Sequence, residues 1–438
     1  MTETPVARLV SRLALPTVAS MLAGTLYNAG DTWFVSRLGT SQSGAVGIVF
    51  ALMAVLQACG FLFGHGAGSS IARRLGAGDA AGARVFASTG FFLALAFGAL
   101  AGAAGLFFPT PLARLLGSTP TILPHAEAYL RWILLSGPFF AASCVMNNIL
   151  RYEGRAAYAM LGLLAGSFLN LALDPLFMFV FGWGVHGAGA ATAVSQAAGF
   201  CLLAAMFRPG IAASRLRLRH VSLRPAVVWQ ILAVGSPSLL RNFFGAIGPA
   251  VLNRQAAPWG DGAIAAMSIV GRVAFLLVAI AIGIGQGMQP VVGFNAGAGR
   301  RDRVRAALFF TMAAGCAIEA LLAMPCALGA EKIVSWFRPD AAVVAVGAMA
   351  LRAQMATLLP VTATIFVNML FQSLGLAGRA AFLSVLRSGL CFLPAILLLP
   401  PLFGIRGVAW AQPVADLFAF AISMPFLFPY LSRETREG

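Results

Sequence analysis

The sequence predicts an all-α membrane protein of twelve transmembrane helices, arranged as two six-helix bundles related by a pseudo-two-fold axis along the membrane normal. Three observations carry this. Of 438 residues, 60% are hydrophobic and 10% charged, against about 25% charged in soluble domains. The apolar residues fall in continuous runs of roughly 20 to 25, the length of a membrane helix, not in the alternating segments of about 10 that a β-barrel needs. Finally, Gly64-His-Gly66 and Gly76-Ala-Gly78 recur as Gly285-Gln-Gly287 and Gly297-Ala-Gly299, both 221 residues on. Pro16 and Pro237 share that offset, Gly184 and Gly404 differ by 220, and Gly154-Arg-Ala-Ala-Tyr158 matches Gly378-Arg-Ala-Ala-Phe382 at 224. An interval of six spans gives two halves of the same orientation.

In chain order, the first span is read at 13–34, after Arg8 and Arg12. Its apolar run is too long for a signal-peptide core and has no convincing cleavage site, so it is read as retained. Spans follow at 43–71, 85–108, 124–150, 156–181 and 187–207, completing an N-terminal lobe over 1–207. The polar stretch 208–225, RPGIAASRLRLRHVSLRP, is a linker. The C-terminal lobe, 226–438, carries spans at 227–253, 262–292, 304–329, 343–373, 380–403 and 406–430.

The net charge of +16 does not mark a nucleic-acid binder, because the basic residues are scattered over short loops. Nineteen fall on the side that holds both termini and six on the other. That asymmetry places both termini in the cytoplasm. The six cysteines lie in or beside apolar runs without metal-ligand spacing, and read as packing residues. His65, His125, His186 and His220 are dispersed and form no HExxH, and no GxSxG is present, so the sequence does not read as an enzyme.

The chemistry concentrates in FLNLALDPLF, 168–177. Asn170 and Asp174 are four residues apart, on one helix face. An acid inside an apolar span is costly and ordinarily serves transport. Pro175 withdraws an N–H from the carbonyl of Leu171 and should bend the helix. Counted at 1.5 Å per residue, Asp31 in span 1 lies at the same depth as Asp174. Tyr129 and Thr192 lie near that level, and Tyr27, Asn28 and Asp31 share a helix face. The second half has no counterpart: position 252 is leucine and 392–399 is apolar. Glu319, mid-span, reads either as a second protonatable site or as an acid paired between helices. Asp416 and Arg387 match in depth and predict an ion pair. Arg241 and Arg272 predict interhelical contacts.

Further stretches complete a resemblance: DTWFVSRLG at 31–39, ARRLGAGDAAGAR at 72–84, LRYEG at 150–154, NLALDP at 170–175, GVHGAGAAT at 184–192 and GIGQGMQPVVGFNAGAGRRDRVR at 283–305. With Pro16, and over nearly the whole chain, these resemble the multidrug and toxic compound extrusion (MATE) family, in its prokaryotic branch with acids in the N-terminal lobe. The resemblance implies alternating access and export of amphipathic, often cationic small molecules against inward H⁺ or Na⁺, with no cofactor. It implies a cation or proton site at Asp31, Asn170, Asp174 and Thr192, which would hold the metal ion if Na⁺ is the coupling ion. Tyr129 matches a tyrosine near that site, and Pro16 a proline at which the first span bends. The acid that another branch carries in its seventh span is absent from AIGPAVLNRQ, 246–255. A monomer in the inner (plasma) membrane is the expectation. The alternative is a flippase for a lipid-linked or amphipathic precursor, which an arginine-rich central cavity would favour. A passive channel is disfavoured, since one polar cluster does not line a pore.

Overall fold

In the computed structural model the described residues, 1–427 with the side chains of Asn28 and Ala29 excepted, are helical and contain no strand. The helices are α1 Val6–Ser36, α2 Thr40–Gly76, α3 Ala80–Phe107, α4 Pro109–Leu115, α5 Leu123–Tyr152, α6 Ala156–Pro175 and α7 Val185–Ala205. A single π turn, Leu176–Val180, extends α6. Then come α8 Pro225–Ala256, α9 Asp261–Gly297, α10 Arg301–Leu328, α11 Ala330–Phe337, α12 Ala341–Ala356 and α13 Leu358–Leu374. The chain continues through α14 Ala377–Val385, a π stretch Leu386–Cys391, α15 Phe392–Phe403 and α16 Ile405–Ser423.

Each of the twelve expected spans finds its helix. Ten segments are long and apolar enough to cross a membrane, and α12 with α13, bent by 49°, makes an eleventh. The twelfth is α8, less apolar because Arg241 and Asn242 sit in its middle. The short helices α4 and α11 fall in stretches that hydropathy leaves as connections.

The repeat holds in three dimensions. α2 and α9 are both 37 residues long, and α3 and α10 both 28. Glycines with positive φ recur as Gly39 and Gly260, Gly78 and Gly299, and Gly184 and Gly404. The residue equivalent to Gly154 (φ 81°) is Gly375 (φ 78°), not Gly378, which lies inside α14. The similarity at 224 is thus displaced by one turn from the structural register. Asn147 donates to the carbonyl of Ala159 (2.9 Å) and Asn368 to that of Ala380 (2.7 Å), an equivalent pair.

Two compact units emerge. One spans Ala19–Leu239; the other joins Met1–Val18 to the chain from Leu240. The chain changes unit two residues after Pro16 in α1 and two residues after Pro237 in α8. Bare glycines explain both assignments. In the first unit, a Cβ on Gly66 would lie 2.0 Å from the Ile231 carbonyl oxygen, and one on Gly235 1.8 Å from that of Leu62. Only glycine lets α2 and the start of α8 meet so closely, and close backbone packing drives helix association in lipid. In the second unit Gly283 abuts Val18 and Gly287 abuts Ala14, so the start of α1 packs on α9. Arg303 holds the N-terminal segment further through the carbonyls of Met1 and Thr4.

The connection after α7 is fastened to the first unit. Glu153 accepts from the amides of Ala213 (2.7 Å) and Ser214 (2.8 Å). Ser88 and Thr89 on α3 accept from the amides of Arg217 and Ser222. Burial pushes the Glu153 carboxyl up from its ordinary range, while the side chain and amide of Ser214, the amide of Ala213 and the charge of Arg155 oppose it.

Candidate cation site

The site lies wholly in the first unit, at the meeting of α1, α5, α6 and α7. Gly30 brings α1 against α6: a Cβ there would stand 2.8 Å from Leu171 Cδ1. One residue on in α1 and three on in α6, Asp31 and Asp174 come within side-chain hydrogen-bonding reach. α7 is brought up in the same way. A Cβ on Gly187 would lie 2.6 Å from the Phe177 carbonyl, so the start of α7 rests on the π turn after Pro175. The proline does not break the helix; it marks where α-helical register gives way to the π turn. That local widening is how the chain accommodates the missing N–H.

Asp174 is fully buried, and Asn170, Thr192 and Tyr129 are 2% exposed. Asn170 Nδ2 donates to Asp174 Oδ1 at 3.1 Å. Thr192 Oγ1 donates to the Ala188 carbonyl at 2.9 Å, and the Tyr129 hydroxyl, near Thr192, donates to Met53 Sδ at 4.0 Å. Tyr27, half-buried, faces Asp31, Tyr129 and Asp174. The structure therefore draws Asp31, Asn170, Asp174, Thr192, Tyr129 and Tyr27 into one cluster. The Asn28 side chain lies outside the described residues. Pro16 lies in the other unit, inside a continuous α1.

Asp31 Oδ1, Asp174 Oδ2 and Asn170 Oδ1 are buried and carry no hydrogen bond from the described residues. Two neighbouring carboxylates repel when both are ionised, and a proton on one of them or a cation beside them would relieve that repulsion. The donor set is carboxylate, amide oxygen and hydroxyl, which suits a hard cation or a proton. No group of three His, Cys, Asp or Glu side chains forms among the described residues.

The other singled-out residues fall elsewhere. Asp416, 3% exposed, accepts from Arg387 Nε at 2.7 Å and from Gln412 at 2.8 Å. The π stretch 386–391 aims Arg387 at it. Arg241 donates to Asn368 at 3.0 Å, whereas Arg272 is exposed. Sequence reasoning passed over His65, whose Nδ1 lies 2.5 Å from Ser238 Oγ and joins α2 to α8. Its signal was a histidine between Gly64 and Gly66 in a span with no Asp, Glu, Lys or Arg before Arg73.

The sequence profile of the MatE family matches residues 16–176 and again 237–397, two copies set apart by the repeat offset. The chain belongs to the MatE family. Its relatives include the multidrug export protein MepA of Staphylococcus aureus (strain NCTC 8325 / PS 47), 27% identical over 436 residues, covering 99% of this chain and 95% of MepA. Among solved structures, MATE in complex with MaL6 superposes with a TM-score of 0.91 at 26% identity, over 97% of this chain and 96% of that one. An outward-facing multidrug resistance MATE family transporter of the MOP superfamily matches with a TM-score of 0.90 at 26% identity, over 97% and 95%. As a MatE protein the chain is a multi-pass membrane transporter and not an enzyme.

Proposed function

We propose that this MatE protein is an antiporter that exports amphipathic, often cationic compounds in exchange for H⁺ or Na⁺ by alternating access. The observation that carries the reading is the set of three buried oxygens, on Asp31, Asn170 and Asp174, that meet no donor among the described residues, an acceptor cluster suited to a proton or a cation. The names of its relatives, a multidrug export protein and an outward-facing multidrug transporter, support the same cargo class and cycle. The arginine asymmetry supports a plasma-membrane protein with both termini cytoplasmic. The flippase reading gains no support from Arg241, Arg352 and Arg387, which are engaged with Asn368, Glu331 and Asp416.

Occupancy of the site removes the repulsion between Asp31 and Asp174 and lets α1 repack on α6. Such a change drives substrate off only through differential affinity for the two states. The test is substrate affinity against pH and Na⁺ in proteoliposomes, in wild type and in Asp31→Asn. Affinity should fall as protons or Na⁺ rise, and Asp31→Asn should flatten the response. A flat wild-type titration, or a variant that keeps the full dependence, moves the coupling site elsewhere.

A further inference from the structure

Among the described residues Glu319 has no answering partner. It lies midway along α10, is 0% exposed, and neither carboxyl oxygen meets a hydrogen-bond donor among the described residues. The amide of Ala281 on α9 approaches it without hydrogen-bond geometry. This is the opposite of Asp416 in the same unit, which has an arginine and a glutamine.

The surrounding elements supply no counter-charge. α13 has no ionisable side chain. On α9, Arg272 is the nearest ionisable residue to Ala281, nine positions and about 13 Å away along the axis, and Asp261 is farther. On α12, Arg352 is taken by Glu331 at 2.8 Å. On α10 itself, the thiol of Cys316 lies one turn back; Cys326 is about two turns on, and the basic residues lie at the helix start. Hard metal cations ask for roughly six oxygen ligands, and Glu319 alone offers two. An ionised carboxylate so placed is strongly disfavoured, and the group answers by taking a proton.

The repeat shows what the chain does at the equivalent place without an acid. That position is Gly98 on α3, where a Cβ would stand 2.8 Å from the Gly137 carbonyl oxygen and from Pro138 Cα. There α5 runs unbroken past Pro138 and α3 lies flush against it. In the second unit the counterpart of α5 is broken at Thr357 into α12 and α13, bent by 49°. Pro360 has no N–H for the carbonyl of Ala356. A Cβ on Gly315 would touch Phe366 and Thr362, and successive spans run antiparallel, so Glu319, one turn on, lies level with the break. The break makes room for a carboxyl that the first unit excludes.

We propose that Glu319 is a second proton-binding site. It holds a proton as the neutral acid while α10 packs on the broken α12–α13 pair as seen here. It passes that proton to water only in a packing that wets the carboxyl. The protonation itself stands apart from the cation-coupled reading; its part in the transport cycle rests on that reading.

Two measurements on purified protein in lipid nanodiscs test it. Infrared pH titration of the Asp31→Asn/Asp174→Asn double variant should show a protonated carboxyl band persisting above the pH at which exposed carboxylates ionise. Adding the isosteric Glu319→Gln to that double variant should remove the band. No such band in the double variant overturns the proposal, whether or not Glu319→Gln folds. Proton uptake on release of a cationic dye, followed with a pH indicator, tests the exchange. Asp174→Asn should keep about half of the wild-type uptake, and adding Glu319→Gln should abolish it. Uptake lost entirely in Asp174→Asn overturns a role for Glu319 in exchange. Uptake unchanged in Asp174→Asn but halved by Glu319→Gln sinks the reading of the first site and leaves Glu319 standing.

Discussion

Asp31, Asn170 and Asp174 show how a few side chains in an apolar background become legible from their cost and spacing. A carboxylate in a span is expensive enough that its presence is informative, and helical spacing put Asn170 on the same face. Depth counting brought Tyr129 and Thr192 to the same level, and it also paired Arg387 with Asp416. What it could not do was separate a paired acid from an unpaired one. It named Arg387 for Asp416 but left both readings of Glu319 open, and the structure separates the two acids at the break at Thr357 and the π stretch at Arg387. Asp174→Asn keeps size and hydrogen bonding but removes the charge. Coupled dye export should fall tenfold or more with the detergent melting temperature unchanged. The Asp31→Asn/Asp174→Asn double variant should be no worse than either single, because the pair acts as one site. Asp416→Asn should do the reverse. It leaves Arg387 largely buried without its counter-ion, a loss of up to about 3 kcal/mol, read as a lower melting temperature with export retained in the surviving protein.

At the scale of elements, the helix ends follow local chemistry. Asp79 caps α3 through the Gly82 amide at 2.7 Å and meets Arg74 at 2.5 Å. That amide first, and Arg74 second, hold its carboxyl below the ordinary aspartate range. A depressed value in the folded state means stabilisation present above the unfolded aspartate value and lost as pH falls through the folded one. Asp79→Ala should therefore melt earlier than wild type at neutral pH, the gap closing as pH falls through the folded value. Glu153 makes a different kind of contact, between a loop and a linker. Glu153→Ala releases the amides of Ala213 and Ser214, and trypsin should cut faster at Arg215, Arg217 and Arg219; an unchanged cleavage rate would show that Ser88 and Thr89 suffice. Pro175 announced irregularity but not its form, and Pro360 lay unremarked inside the span read at 343–373. One yields a π turn inside a continuous span, the other a 49° break. The difference lies in what packs alongside: Gly187 on the π turn in the first case, Glu319 level with the break in the second.

For the whole molecule, hydropathy and the 221-residue offset were sufficient for twelve spans and an internal repeat. They were insufficient for the units. A hydropathy profile marks where a span begins and ends, whereas the assignment of half a helix to one unit depends on which glycines let which backbones meet. Gly66 and Gly235 decide it for α8, and Gly283 and Gly287 for α1. Gly287→Leu should lower the melting temperature by forcing the start of α1 off α9, and Gly66→Leu should do the same at α2 and α8. Tolerance of either in a thermal scan would mean that these close approaches are not what fixes the units.

The split membership of α1 also sets a timetable. Ala14 is made almost at once, but Gly287, against which it packs, is added roughly 270 residues later, which at about 5–20 residues per second is some 14 to 55 seconds of synthesis. The Ala19–Leu239 unit can close as soon as Leu239 has emerged, whereas the other must keep its first strip of helix waiting in the bilayer until α9 arrives. The leading end of the chain is thus among the last parts to find its place.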